Sequence, residues 1–264
     1  MTPDAMTPDA TQLGPSLPAT PSELFAGVSS ASDQLCRWMA ELTLTDEVVA
    51  RPSHLPGWSN GHVLSHIARN ADGVNRTLTG VLQGQVVARY PGGDAERNQA
   101  IADGAGRPAA DIKSDVIDSA RALAGVLAAV DAAGLWGLPS SEGRTAAEWL
   151  YRRWREIEIH RIDADLGYQP TEWTAAFIDV LLPGLVAEWD ARVDETLIVR
   201  ASETDSTSSM MAGREFTIAA ATAPSDAAAP VTEVSGPDWA LICWLTGRPT
   251  FTESLGDVPR LQWI

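Results

Sequence analysis

Cationic residues are scarce in this chain. It carries 19 Lys and Arg against 35 Asp and Glu, a net charge of −16 at neutral pH over 264 residues, and the few cations form no basic block. Such a chain repels phosphate backbones and anionic lipid, which argues against nucleic acid and membrane surfaces as partners. Long apolar runs are missing too: none approaches the ~20 residues needed to span a bilayer, and the N-terminus shows neither a basic start nor an apolar signal core. The expectation is a soluble cytoplasmic protein. Its two cysteines, Cys36 and Cys243, are far apart and sit in the apolar contexts LCRW and LICW, so each reads as a buried thiol and not as half of a disulfide. Histidine is sparse, with four residues in all, so where the histidines fall carries information.

What the chain does have is apolar content, 45% of residues, enough to fill a sizeable core. The first twenty residues, MTPDAMTPDATQLGPSLPAT, repeat MTPDA and hold few large apolar side chains, which predicts a disordered tail over 1–20. From Pro21 the pattern is helical: Thr20 can cap, and Leu24, Val28, Leu35, Trp38 and Leu42 recur at helical spacing. A second long helix, capped by Ser59, is predicted from about 60 to 83 with Val63, Ile67, Val74, Leu78 and Leu82 on its apolar stripe. A short helix comes next, near 94–104. The third long helix opens at Pro108 and ends around Ala133-Gly134. The fourth, TAAEWLYRRWREIEIHRIDADLG, is predicted to run to a C-cap at Gly167. Four long helices with modest connections predict an antiparallel four-helix bundle over 21–170. A further helix is expected from Glu172 to about Asp194, kinked or ended early by Pro183-Gly184. Strands at 196–200, 215–219 and 231–234, with a mobile polar loop SETDSTSSMMAG between the first two, lead into the helix DWALICWLTG. The fold class is therefore mainly α, with a linking helix and small α+β part over 171–264.

Within the fourth helix, Arg153, Glu156, His160 and Asp163 are spaced three, four and three apart and line one stripe. The second helix presents His62 and His66 four apart, again on one stripe. One histidine from one helix and a Glu/His pair from another can offer two nitrogens and an oxygen to a divalent ion and leave positions open for water or substrate. Taken singly, each half reads more readily as a solvated ion-pair face or a structural histidine pair than as part of a metal site. Together they place three of the four histidines on helix faces that a bundle brings together. Glu158 and Asp165 lie off the stripe and should be solvated or structurally paired.

The segments LPGWSNGHVLSHIARNADGVNR and RRWREIEIHRIDADLGY resemble the two halves of the bundle signature of the mycothiol-dependent maleylpyruvate isomerases, a family of the DinB-like superfamily of metal-binding four-helix bundles. AERNQAI at 95–101, GRTAAEWLYRR, and VSGPDWALICWLTGR near the C-terminus are similar to further family segments, so the resemblance covers about residues 22–264. It implies a divalent ion, usually zinc, held by His66, Glu156 and His160, with His62 outside the ligand set and engaged in structural hydrogen bonding. It implies mycothiol as thiol cosubstrate. Asp163 falls where the family has an acidic residue after the ligands, with an ion pair to Arg153 or another cation as its alternative reading. Arg248 falls where the family carries an arginine facing the bundle site, and Arg97 in a matching Arg-Asn pair. Asp163 and Arg248 are thus the candidate catalytic residues, and Arg97, Asp163 and Arg248 the candidates for binding the thiol and substrate.

A thiol with a free pKa of ~8.5 is mostly protonated at neutral pH, and coordination to a divalent ion deprotonates it. In the isomerase that the resemblance implies, the thiolate adds to the cis double bond of maleylpyruvate, the resulting single bond rotates, and elimination yields fumarylpyruvate. The substrate is a dianion, for which guanidinium groups such as Arg97 and Arg248 are suited. The same activated thiol would serve a mycothiol S-transferase, and a third reading is a metal-binding module without catalysis. Neither the acceptor, the native metal nor the oligomeric state follows from the sequence.

Overall fold

The computed structural model describes residues 17–190, 192–202, 209–221 and 231–261. Of the expected disordered tail, residues 1–16 lie outside the described residues. Within its described part, Leu17 and Ala19 pack against the core, so order begins before residue 21. Residues 203–208 of the expected mobile loop also lie outside the described set.

Four long helices form the bundle: α1 (Pro21–Glu41), α3 (Asn60–Leu82), α5 (Ala109–Ala132) and α6 (Ala146–Asp163). Each packs on two others in the cycle α1, α5, α3, α6. Two shorter helices lie in the connections, α2 (Asp46–Ala50) before α3 and α4 (Gly93–Ala105) beside it. Helix starts obey local chemistry. The Thr20 hydroxyl accepts from the Glu23 amide while Glu23 reaches back to the Thr20 amide, a capping box that satisfies two otherwise orphaned donors. Leu24, Val28, Leu35 and Met39 from α1, Val63, Ile67 and Leu78 from α3, and Leu123 and Leu127 from α5 are buried in one core, each worth about 1.5–3 kcal/mol in apolar transfer. Three members of the predicted stripes depart from it. Leu42 lies past the end of α1 as its half-buried C-cap. Trp38 is only half-buried, with Met39 taking the inner position, and Leu82 at the end of α3 is exposed. Gly27 lets α1 approach α6, because a Cβ there would collide with the Trp154 ring.

The fourth long helix ends earlier than Gly167. It stops at Asp163, with Ala164 as C-cap and Asp165 at φ +49°. The reason is a competing donor: the Asp163 carbonyl, which a continued helix would offer to residue 167, accepts instead from the His54 amide at 2.9 Å.

Beyond the bundle, Pro170–Glu172 forms a 3-10 turn and Thr174 caps α7 (Ala175–Trp189), which starts later and ends sooner than predicted but runs through Pro183. Trp154 on α6, Phe177 on α7 and Trp173 stack in sequence, with centroids 5.6 and 5.4 Å apart, and tie the bundle to the C-terminal part of the chain. Strands β1 (Thr196–Ala201), β2 (Glu215–Ile218) and β3 (Val231–Gly236) form a sheet of order β2-β1-β3, with β2 antiparallel and β3 parallel to β1. The inward positions Leu197, Val199, Ile218 and Val234 are buried, and this part of the core is shared with α7 and α8 (Asp238–Leu245). Both cysteines are free thiols; Cys243 is buried and Cys36 half-buried. None of the described helices is long and apolar enough to cross a membrane.

Candidate metal centre

Helix α3 begins with a capping box in which Ser59 caps and His62 is the third helical residue. The Ser59 hydroxyl lies 2.8 Å from His62 Nδ1, and the Ser59 amide donates to the same nitrogen at 3.3 Å. His62 is thereby held at the helix terminus. One turn on, His66 points into the bundle and is 4% exposed. Its Nε2 lies 2.9 Å from Glu156 Oε2 on α6, and that same oxygen is 3.3 Å from His160 Nε2. The two imidazole rings meet edge to face at 4.4 Å. His66, Glu156 and His160 thus present one ligand atom each within 4.8 Å of one another, the one such group of acids, thiols and imidazoles among the described residues.

The residues fit a divalent ion on chemical grounds. Ligands about 2.0–2.2 Å from a tetrahedral ion stand a little over 3 Å apart, close to these separations. Burial, then the neighbouring His160, lowers the His66 pKa to about 4, so this imidazole is neutral near pH 7 and can offer a nitrogen lone pair. Burial opposes charge on Glu156, but hydrogen bonds from His160 and His66 outweigh it and hold the carboxyl well below its usual range. Burial also disfavours a charged His160, yet its bonds to Asp163 and Glu156 prevail and raise its pKa.

Behind the triad, His160 Nδ1 donates to Asp163 Oδ2 at 2.8 Å. That bond holds a proton on Nδ1, so that in the neutral ring the lone pair is on Nε2, the nitrogen that faces Glu156. Asp163 is fully buried and is gripped on its other side by Arg248, through Nη2 to Oδ2 at 2.7 Å and Nε to Oδ1 at 3.1 Å. Arg248 Nη1 donates to the Thr246 carbonyl. The cation paired with Asp163 is therefore Arg248 and not Arg153. Arg153, also fully buried, donates through Nη1 to the Ile67 carbonyl and to Asn70 Oδ1, both at 2.9 Å. Its pKa is pulled down to about 10 by burial. Arg97, on α4, donates from Nη2 to His66 Nδ1 at 3.3 Å.

The acids off the stripe are structurally paired. Glu158 is buried, accepts from the Tyr168 hydroxyl at 2.7 Å and faces Arg161 Nη1 at 3.4 Å. Asp165 lies 3.3 Å from His54 Nε2. One wall group that spacing rules do not pick out is Trp58, whose ring stands edge-on to His66 at 5.6 Å and tilted against His62 at 6.1 Å. Its position just before the Ser59 cap, where an apolar residue often staples a helix start, is the only local signal for it.

Residues 28–165 match the family model described as the mycothiol maleylpyruvate isomerase N-terminal domain. None of the curated proteins compared matches the chain in sequence. Among solved structures the chain is similar to the crystal structure of the mycothiol-dependent maleylpyruvate isomerase, at 20% identity and a TM-score of 0.73, over 93% of this chain and 98% of that one. A histidine-to-alanine mutant of that isomerase matches at 19% identity with the same TM-score and coverage. At these identities the likeness is one of fold.

Proposed function

The chain belongs to the mycothiol maleylpyruvate isomerase N-terminal domain family, and from that premise we propose that it is a metal-dependent enzyme that uses mycothiol as an activated thiolate, acting as a maleylpyruvate cis-trans isomerase. The observation that carries this reading is the convergence of His66, Glu156 and His160 across two helices of the bundle. We assign these three as the ligands of a divalent ion, zinc by the nature of the donor set. When bound, such an ion supplies the positive charge that favours the thiolate form of a thiol at neutral pH.

The chain's own residues do the rest. Asp163 orients His160 through Nδ1, and Arg248 orients Asp163. Because Nε, Nη1 and Nη2 of Arg248 each donate a hydrogen bond, we assign it first to positioning and only through its remaining N–H groups to substrate. Arg97 is the better placed carboxylate binder. Its contact requires an unprotonated His66 Nδ1; were Nε2 to hold the ion, the imidazole proton would sit on Nδ1, and the Arg97 N–H would be released to donate to a substrate carboxylate. In the isomerisation, sulfur adds to one carbon of the cis double bond, the former double bond rotates as a single bond, and expulsion of the thiolate restores the alkene in the trans form.

The commitment of Arg248 to Asp163 also favours a second reading, mycothiol S-transfer to an acceptor that is not a dianion. Incubation of purified, metal-loaded protein with mycothiol and maleylpyruvate separates them. Catalytic formation of fumarylpyruvate supports the isomerase; its absence, with a stable thioether formed on another electrophile, sinks that reading in favour of transfer. A protein that binds metal and does neither is a non-catalytic module.

A further inference from the structure

A cavity of about 330 Å³ lies where the N-terminal half of α6 meets the C-terminal half of α7. Its lining includes Arg144, Arg152 and Arg192, three guanidinium groups around one hollow in a chain of net charge −16. Two acids, Glu148 and Glu188, also line the hollow, and both are already engaged. Glu148 closes the α6 capping box, accepting from the Thr145 amide at 2.7 Å, and pairs with Arg144 at 3.3 Å. Glu188 is bound by Arg155 Nη1 at 2.8 Å. Arg152 and Arg192 make no ion pair or side-chain hydrogen bond among the described residues. Burial, then the charge of Arg144, pulls the Arg152 pKa below its ordinary value, against the opposing charges of Glu188 and Glu142.

The wall of the cavity is shaped as well as charged. Tyr151 is 9% exposed, and its hydroxyl, with Arg155 beside it, makes no hydrogen bond of ordinary geometry. It fits against α7 because residue 184 is glycine; a Cβ there would collide with the hydroxyl.

We propose that this cavity binds a small doubly charged oxyanion, a phosphate or a dicarboxylate, at a site separate from the metal centre. Planar guanidinium groups grip both kinds of oxyanion through paired N–H donors. The volume, at the lower end of small-molecule sites, suits a ligand of that size. The site owes nothing to His66, Glu156 or His160 and stands whether or not the proposed isomerase activity does.

The test is calorimetric titration of the metal-loaded protein with inorganic phosphate and, in a parallel arm, with succinate, at ionic strength held constant with chloride. Saturable binding is expected in at least one arm, weakened about tenfold or more in R152Q and in R192Q, with metal content unchanged; loss of a charge-assisted hydrogen bond is of that size. Phosphate alone binding identifies a phosphate site, and succinate alone a dicarboxylate site. Lack of saturable binding in both arms overturns the proposal, as does binding undiminished in both variants, which would place the anion at the metal instead. R192Q alters an exposed side chain beyond the end of α7, so it decides the matter even if R152Q fails to fold.

Discussion

Arg248 and Asp163 meet across 85 residues of chain, the guanidinium gripping the buried carboxylate at 2.7 and 3.1 Å while His160 holds the same carboxylate at 2.8 Å. A segment beyond α8 is thereby locked to the end of α6, directly behind a proposed metal ligand.

Removing the charge of Asp163 should act on both sides of that link. Asp163→Asn is expected to weaken metal binding about 10–100-fold, as loss of a carboxylate behind a ligating histidine does. It should also lower stability by about 3 kcal/mol, because the Arg248 charge is left without its partner. Chelator competition and denaturant unfolding measure the two effects, and unchanged metal affinity would show that Asp163 does not tune the site.

The ligand assignment has its own test. His66→Ala should abolish stoichiometric metal in the purified protein, measured by elemental analysis alongside a circular dichroism spectrum that verifies the helices. Metal content equal to the parent protein would refute the assignment.

The pH dependence of stability derives from the same carboxylate. Burial works to raise the pKa of Asp163, but His160 and Arg248 outweigh it and hold it below the ordinary value. A depressed carboxyl pKa means that the folded state binds the proton less tightly than the unfolded state. Its stabilisation is complete above the unfolded value of about 3.9 and is lost as pH falls through the folded value. Melting temperature should therefore drop steeply below about pH 4, and Asp163→Asn should flatten that acid limb. An acid limb of the same slope in the variant would assign it to other carboxylates.

His62 separates a structural histidine from a ligand. Ser59→Ala, which breaks the cap that His62 completes, should cost about 1 kcal/mol, and His62→Ala should likewise destabilise α3. Neither should change metal stoichiometry. Loss of metal in His62→Ala with an intact helix would return His62 to the ligand set.

Gly27→Ala tests the close approach of α1 to α6. The added methyl must displace the Trp154 ring, and overpacking of this kind costs about 1–3 kcal/mol. A thermal melt matching the parent's would show that the ring yields without cost.

The parts of the fold that the sequence discloses are those built from local signals. Caps at Thr20 and Ser59 and apolar residues at helical spacing locate the long helices, since both signals act within a few residues. The end of α6 is not of this kind. Gly167 looks like a cap, yet the helix stops at Asp163 because the His54 amide takes the Asp163 carbonyl, a contact over more than a hundred residues that no local pattern encodes. Trp38 shows the same limit, since a residue at the edge of a stripe is buried or half-exposed according to the neighbouring helix.

By itself, then, the sequence determines that an acidic, apolar-rich chain forms a helical bundle, and that His66, Glu156 and His160 occupy helix stripes able to share one ligand, because spacing along a helix dictates which side chains share a face. Tertiary structure alone decides that those stripes face each other, that Asp163 takes its cation from Arg248 and not from Arg153, that Glu158 turns from the site toward Tyr168, and that Arg144, Arg152 and Arg192 gather around one cavity. Each of these depends on how one element packs against another far away in sequence, and charge pairing in a buried site goes to whichever partner that packing brings within hydrogen-bond reach.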